Sequence, residues 1–215
     1  LPTKEILAVS YGVEDNVGGT AHPQVAEIVA HWQAKTNDEL NLTIGYLTAE
    51  IPQRSEEMAA LIAESWLGSY PADVALTNWG GMRDRIPAGE ISFSDIISVM
   101  PFSNVLVDVE LTGAQLRQVL SFGNGLPPVG GLHYRLGKWI MDKTGEPLDD
   151  NTTYALLTTD FLYAGGSDYT MLAEFDPEAY NTSISWRQPV IDWILAQEST
   201  PENPLDEAIS ALLDQ

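Results

Sequence analysis

The sequence predicts an α+β fold of mixed layers, with mixed sheets flanked by helices. Segments of two-residue alternation or short apolar runs trade places with segments of helical spacing along the whole chain. Helix-capping residues stand at several of the switches between them. No linker-like stretch, internal repeat or low-complexity block interrupts the pattern, so residues 1–215 are expected to form a single domain.

Taken in order, the first element is a helix beginning near His22. The run HPQVAEIVAHWQAK sets Val25, Ile28, Val29 and Trp32 on one face, with Pro23 at the first turn, where a missing N–H costs nothing. Leu40, Leu42, Ile44 and Tyr46 then alternate with Asn41, Thr43 and Gly45, the pattern of a strand with one buried face. Ser55 is placed to cap a helix carrying Met58, Leu61, Ile62 and Trp66. At their helical spacing, Trp32 and Trp66 read as core residues. Residues 73–77 (DVALT) read as a short strand running into the glycine turn NWGGMR, and residues 104–110 (NVLVDVE) as another strand. Thr112 and Gln115 have capping-box spacing and open a helix through Leu116, Val119 and Leu120. Residues 122–131 (FGNGLPPVGG) read as a loop by composition. Two strands around Tyr134 and Ile140 follow, with a turn at residues 143–146. Residues 154–159 (YALLTT) read as a buried strand leading into DFLYAGGSDY, and two helices close the chain, over residues 190–196 and 205–213.

Composition restricts function. Only 10 Lys and Arg face 31 Asp and Glu, a net charge of −21. Such a field repels phosphate backbones and anionic lipids, so no nucleic-acid partner is expected. No apolar run approaches the ~20 residues that span a bilayer, which argues against membrane insertion. There is no cysteine, hence no disulfide, thiolate metal site or thiol nucleophile. His22, His31 and His133 are far apart and in no ligand-like spacing, so they read as ordinary surface or core histidines. With no GxSxG elbow, P-loop or GxGxxG either, the chain carries no evident machinery for hydrolysis of its own and no cofactor or metal is expected in it.

What remains is three loops beside predicted strands. In Asn78-Trp79-Gly80-Gly81-Met82-Arg83 the glycines let backbone approach a ligand, and Arg83 offers a planar donor fork suited to phosphate. Pro101-Phe102-Ser103-Asn104 places an aromatic ring at the mouth of a strand. The third loop runs from Phe161 through Gly165, Gly166 and Ser167 to Asp168. Phe102 and Phe161 are suited to sandwich a flat base, a contact worth ~1–3 kcal/mol per base. Taken singly, each loop is equally at home with a core Phe, a plain Gly-Gly turn or a surface ion pair.

In their order the three resemble one family. TNWGGMRDRIPAGEISFSDIISVMPFSNVLVDVELTGAQLRQVL, followed by TTDFLYAGGSDY, is similar to the C-terminal domain of 5′-nucleotidases, and the likeness covers essentially the whole chain. The resemblance implies a division of labour. A metal-bearing N-terminal domain, in cis or in trans and outside this chain, performs hydrolysis and holds the divalent metals, while this domain grips the nucleotide and rotates to deliver it. The isolated chain is then expected to be inactive. The resemblance further implies base stacking by Phe102 and Phe161, a phosphate-side contact from Arg83, and Asn78 and Gly81 in the same site. An extracytoplasmic location, whether periplasmic, secreted or cell-surface, follows from the relatives as well.

Some positions depart from the family pattern. Ser167 stands where relatives carry the acidic residue that holds the ribose hydroxyls, with Asp168 one place later, so either Asp168 takes that role or the contact is weakened. Trp79 replaces a small residue and either adds a stacking surface or partly fills the phosphate pocket. Upstream, where relatives carry arginines, Arg54 is the one cationic candidate and Pro52 occupies an expected arginine position. The leading expectation is a substrate-recognition domain of a 5′-nucleotidase-type phosphohydrolase acting in nucleotide catabolism. The alternative is a free-standing nucleoside-binding module with no hydrolytic role.

Overall fold

The computed structural model describes residues 22–123 and 125–213. Two units divide the chain, Leu1–Asp38 and Glu39–Gln215. Helix α1 (Pro23–Leu40) starts at the expected proline. Its apolar residues Val25, Ile28 and Val29 are exposed, because helical periodicity reports a face able to pack rather than something packed upon it. The Trp32 side chain lies outside the described residues.

Strand β1 (Thr43–Leu47) begins later than the alternation suggests, because α1 continues through Leu40. Leu42 is exposed, while Ile44, Gly45 and Leu47 are buried. The expected one-faced pattern is broken by a bulge between Thr43 and Gly45 in the pairing with a partner strand, and a bulge shifts which side chains face inward. Helix α2 (Glu56–Ser69) is capped as anticipated, the Ser55 hydroxyl accepting from the Met58 N–H. Met58, Leu61, Ile62 and Trp66 are all buried on it.

Strand β2 (Val74–Leu76) leads into a single 3-10 turn at Trp79–Gly81. Next come β3 (Gly89–Ser92), the antiparallel partner of β1, and α3 (Phe93–Val99), opened by a Ser92–Asp95 capping box. Strand β4 (Val105–Thr112) hands over to α4 (Gly113–Leu120) through the Thr112–Gln115 box read from the sequence. The loop that follows carries a two-residue strand, β5 (Val129–Gly130), and then the hairpin β6 (Leu132–Arg135) and β7 (Lys138–Met141). The remaining elements are β8 (Thr153–Thr159), α5 (Asp160–Tyr163), a 3-10 turn at Gly166–Asp168, α6 (Met171–Phe175), β9 (Tyr180–Ser185), α7 (Gln188–Ala196) and α8 (Asp206–Leu213).

The central sheet has five strands in the order β5-β2-β8-β4-β9. β2 and β8 run parallel, and the other pairs are antiparallel. Alternate residues feed two cores. Ala75, Leu106 and Leu157 face a layer containing Trp66, Trp186 and Ile194. Val74, Leu76, Val107, Val109, Leu111 and Leu156 face a second layer with Leu116, Val119, Leu162 and Leu172. The expected α+β architecture is therefore present, with a mixed sheet covered by helices on both sides. Strand β9 escaped the sequence reading because its residues, YNTSIS, sit at a sheet edge and are largely exposed or half-buried.

Candidate functional site

Strand direction brings the loops together. β2 and β8 are parallel, β4 is antiparallel to β8, and β9 is antiparallel to β4, hence parallel to β8. The C-terminal ends of β2, β8 and β9 and the N-terminal end of β4 therefore share one edge of the sheet. Leu106 faces Thr159 and Val105 faces Ser185 in the register, so the segments beyond them meet. Between them lies a cavity of about 430 Å³.

Asn78, Gly81, Arg83, Phe102, Phe161 and Ser167 all line it. Phe102 and Phe161 are each close to half exposed, 46% and 48%, so neither ring is committed to the interior. The Arg83 guanidinium lies 5.9 Å from the Phe102 ring centroid, and its Nη1 donates to the Gly80 carbonyl at 3.3 Å. Among the described residues, Arg83 is the one charged side chain in the cavity wall. In a chain of net charge −21, a wall holding a cation and no carboxylate is a local exception to the surrounding field.

Each loop is fastened from behind. Asp160 Oδ1 accepts from Asn104 Nδ2 at 2.6 Å, from the Phe161 N–H at 2.9 Å and from the Val105 N–H at 3.3 Å, so one carboxylate ties the Phe102 loop to the Phe161 loop. The Thr159 hydroxyl accepts from the Leu162 N–H and caps α5. A Cβ on Gly81 would lie 3.0 Å from Asn78 Oδ1 and 3.2 Å from the Trp186 ring, which is why a glycine stands there. Asn78 Nδ2 reaches Ser167 Oγ at 3.4 Å across the cavity's rim.

Two expected residues lie elsewhere. Arg54 is exposed at positive φ (59°) in the turn before α2 and is not in the cavity wall. Its turn is tied to the Arg83 segment only indirectly, by the Gln53 amide donating to the Met82 carbonyl at 2.9 Å. Asp168 is also exposed and outside the wall. Trp79 does not enter the cavity. Its indole N–H donates to the Leu126 carbonyl at 3.2 Å, and the ring lines neighbouring spaces.

Trp186 is the wall residue that the sequence did not suggest. It is 1% exposed, and its N–H donates to the Phe102 carbonyl at 2.8 Å. A lone Trp at the end of an edge strand has no motif around it, and only the sheet order shows where it points. Asn104 closes the Pro101-Phe102-Ser103-Asn104 loop read from the sequence, but nothing local announces its hydrogen bond to Asp160.

These features define an α+β domain with an aromatic-walled cavity where the ends of β2, β4, β8 and β9 meet. The chain belongs to the 5′-nucleotidase C-terminal domain family, whose model matches residues 33–174. It is 27% identical over 203 residues to the trifunctional nucleotide phosphoesterase protein YfkN of Bacillus subtilis (strain 168), covering 79% of this chain and 13% of that protein. It is 28% identical over 166 residues to protein UshA of Escherichia coli (strain K12), covering 69% of this chain and 30% of UshA. The chain thus spans well under half of these relatives. In fold it is similar to the 5′-nucleotidase precursor from Thermus thermophilus, with a TM-score of 0.68 at 22% identity over 82% of this chain and 41% of that one. The Haemophilus influenzae NAD nucleotidase gives a TM-score of 0.66 at 21% identity, over 81% and 39% of the two chains. Among the described residues, no helix is long and apolar enough to cross a membrane.

Proposed function

We propose that this chain is the substrate-recognition domain of a 5′-nucleotidase-type phosphohydrolase, holding a nucleoside or nucleotide by stacking its base between Phe102 and Phe161. One observation carries the reading: two half-exposed phenylalanines, from loops 59 positions apart (102 to 161), stand in the wall of a single cavity whose one charge is Arg83. The rings supply apolar faces for a base, and the guanidinium supplies a fork for phosphate. Asn78 and Ser167 are placed to meet polar atoms of the same ligand.

Among the described residues, no three His, Asp or Glu side chains are grouped so as to hold a metal ion. Hydrolysis belongs to a metallophosphatase domain, joined in cis or acting in trans. This domain contributes binding and orientation, which raise the rate by holding the reacting group in place. The family resemblance also supports an extracytoplasmic setting.

Calorimetric titration with adenosine and 5′-AMP tests the reading. Saturable binding that Phe161→Ala weakens by about ten-fold or more supports it. Absence of heat with every nucleoside and nucleotide tried, from a folded protein, removes it.

A further inference from the structure

A second chamber, of about 220 Å³, adjoins the first. Asn78, Gly80 and Ser167 stand in the walls of both, so the two spaces meet across the Asn78–Ser167 hydrogen bond. At 3.4 Å that bond is at the long end of the useful range and is easily given up. Ser167 (φ 53°) and Asp168 (φ 65°) are held in the left-handed region without being glycine, and backbone held so is found disproportionately where ligands are gripped.

The chamber's wall differs in kind from the first cavity's. Trp79, Phe122, Leu126 and Tyr169 make it aromatic and apolar, and no charged side chain contributes to it. Phe122 and Tyr169 meet edge to face at 5.1 Å, and the Trp79 N–H bond to the Leu126 carbonyl pins the loop over the space. Thr77 also belongs to the wall. It is 1% exposed, and its hydroxyl has no hydrogen-bond partner.

We infer that this chamber is a subsite for a substituent on the base, so that the preferred ligand is a nucleoside or nucleotide whose base carries an apolar, ring-sized extension. The inference rests on the nucleoside reading of the main cavity. Charge sets the direction. Arg83 lines the main cavity alone, so an anionic group stays there, and a ligand lying across both spaces sends its apolar end past Asn78. Trp79, the residue that departs from the family's small one, builds the aromatic wall that receives it.

The test titrates the chain with adenosine, N6-benzyladenosine and 8-benzylaminoadenosine, which carry the same ring on different edges of the base. One of the two substituted compounds binds about ten-fold more tightly than adenosine, as expected from burying a phenyl ring. Leu126→Glu, on an exposed loop outside the main cavity, abolishes that preference and leaves adenosine affinity unchanged. Trp79→Ala lowers the preference as well. If adenosine binds but neither substituted compound gains, the chamber is not a subsite, and the stacking cavity stands. A gain that survives both substitutions overturns the inference too. If none of the three binds, the nucleoside reading itself fails and takes the subsite with it.

Discussion

The Trp186 indole N–H donates to the Phe102 carbonyl at 2.8 Å, and the two rings lie 6.5 Å apart at a 36° tilt. Trp186 is itself held by Trp66 of α2, whose indole N–H donates to the Trp186 carbonyl at 2.9 Å. Two buried tryptophans thus connect the first helical core to an exposed ring in the cavity. Trp186→Phe removes the bond to Phe102 and part of a wholly buried side chain. It is expected to cost about 2–4 kcal/mol of stability by urea unfolding. Nucleoside affinity, measured at a temperature where the variant is folded, should fall several-fold because Phe102 is no longer seated. Undiminished affinity would show that Phe102 needs no such seating.

The two glycines after Phe161 make different demands. A Cβ on Gly166 would stand 2.5 Å from the Phe161 ring and from the Phe161 carbonyl oxygen. The ring can turn away, but the carbonyl cannot. Gly166→Ala should therefore weaken nucleoside binding about as much as Phe161→Ala. Gly165 has φ of +92° and only ordinary contacts around its position, so Gly165→Ala should lower stability by about 1 kcal/mol and leave the ring in place. Parallel binding and melting curves on both variants separate the two effects.

Arg83 should distinguish nucleotide from nucleoside. Arg83→Met keeps much of the side chain's apolar length and removes the donor fork. The advantage of 5′-AMP over adenosine, and its decline with added salt, should both disappear, with adenosine affinity little changed. An equal loss for both ligands would assign Arg83 to base or ribose instead.

A half-buried carboxylate on β4, Asp108, gives a stability prediction. Burial pushes the Asp108 carboxyl above the ordinary carboxylate range, the Tyr70 hydroxyl pulls it down, and nearby Glu110, Asp176 and Asp73 raise it further. Oδ2 accepts from Tyr70 at 3.1 Å, while Oδ1 has no partner. Because the pKa is raised, the folded chain holds more protons than the unfolded chain between the two values. Stability from this group rises as pH falls through that window, and the full penalty stands above it. Asp108→Asn should melt at a higher temperature than the parent at neutral pH, and the difference should close as the pH is lowered into the carboxylate range. A gap independent of pH would remove Asp108 from the explanation.

Local chemistry made much of this fold legible. The Ser55 cap and the Thr112–Gln115 box act within four residues, and both appear as read. The Ser92–Asp95 box has the same spacing, but it follows a strand too short and mixed to announce a helix. The alternation from Leu40 to Tyr46 overstates the strand because α1 runs through Leu40 and the pairing with β3 introduces a bulge that local periodicity does not announce. In the cavity, the residues readable from sequence are those carried by the three loop motifs: Asn78, Gly81, Arg83, Phe102, Phe161 and Ser167. Trp186 was hidden because its part depends on β9 pairing with β4, which no local signal specifies. Arg54 and Asp168 are suggested only by their positions in the family pattern, and both side chains are exposed outside the wall.

The parallel pairing of β2 with β8 links residues far apart in the chain, as in the Thr158 hydroxyl bond to the Leu76 carbonyl across 82 positions. The pairing therefore has consequences for vectorial synthesis. A nascent chain still missing β9 already displays the Asn78 turn and both phenylalanines, yet it lacks the indole that seats one of them. Such an intermediate has the loops without the Trp186 side of the wall. On the proposed reading, a nucleoside stabilises only molecules in which β9 has joined the sheet, because a ligand that binds the folded state alone adds to its stability.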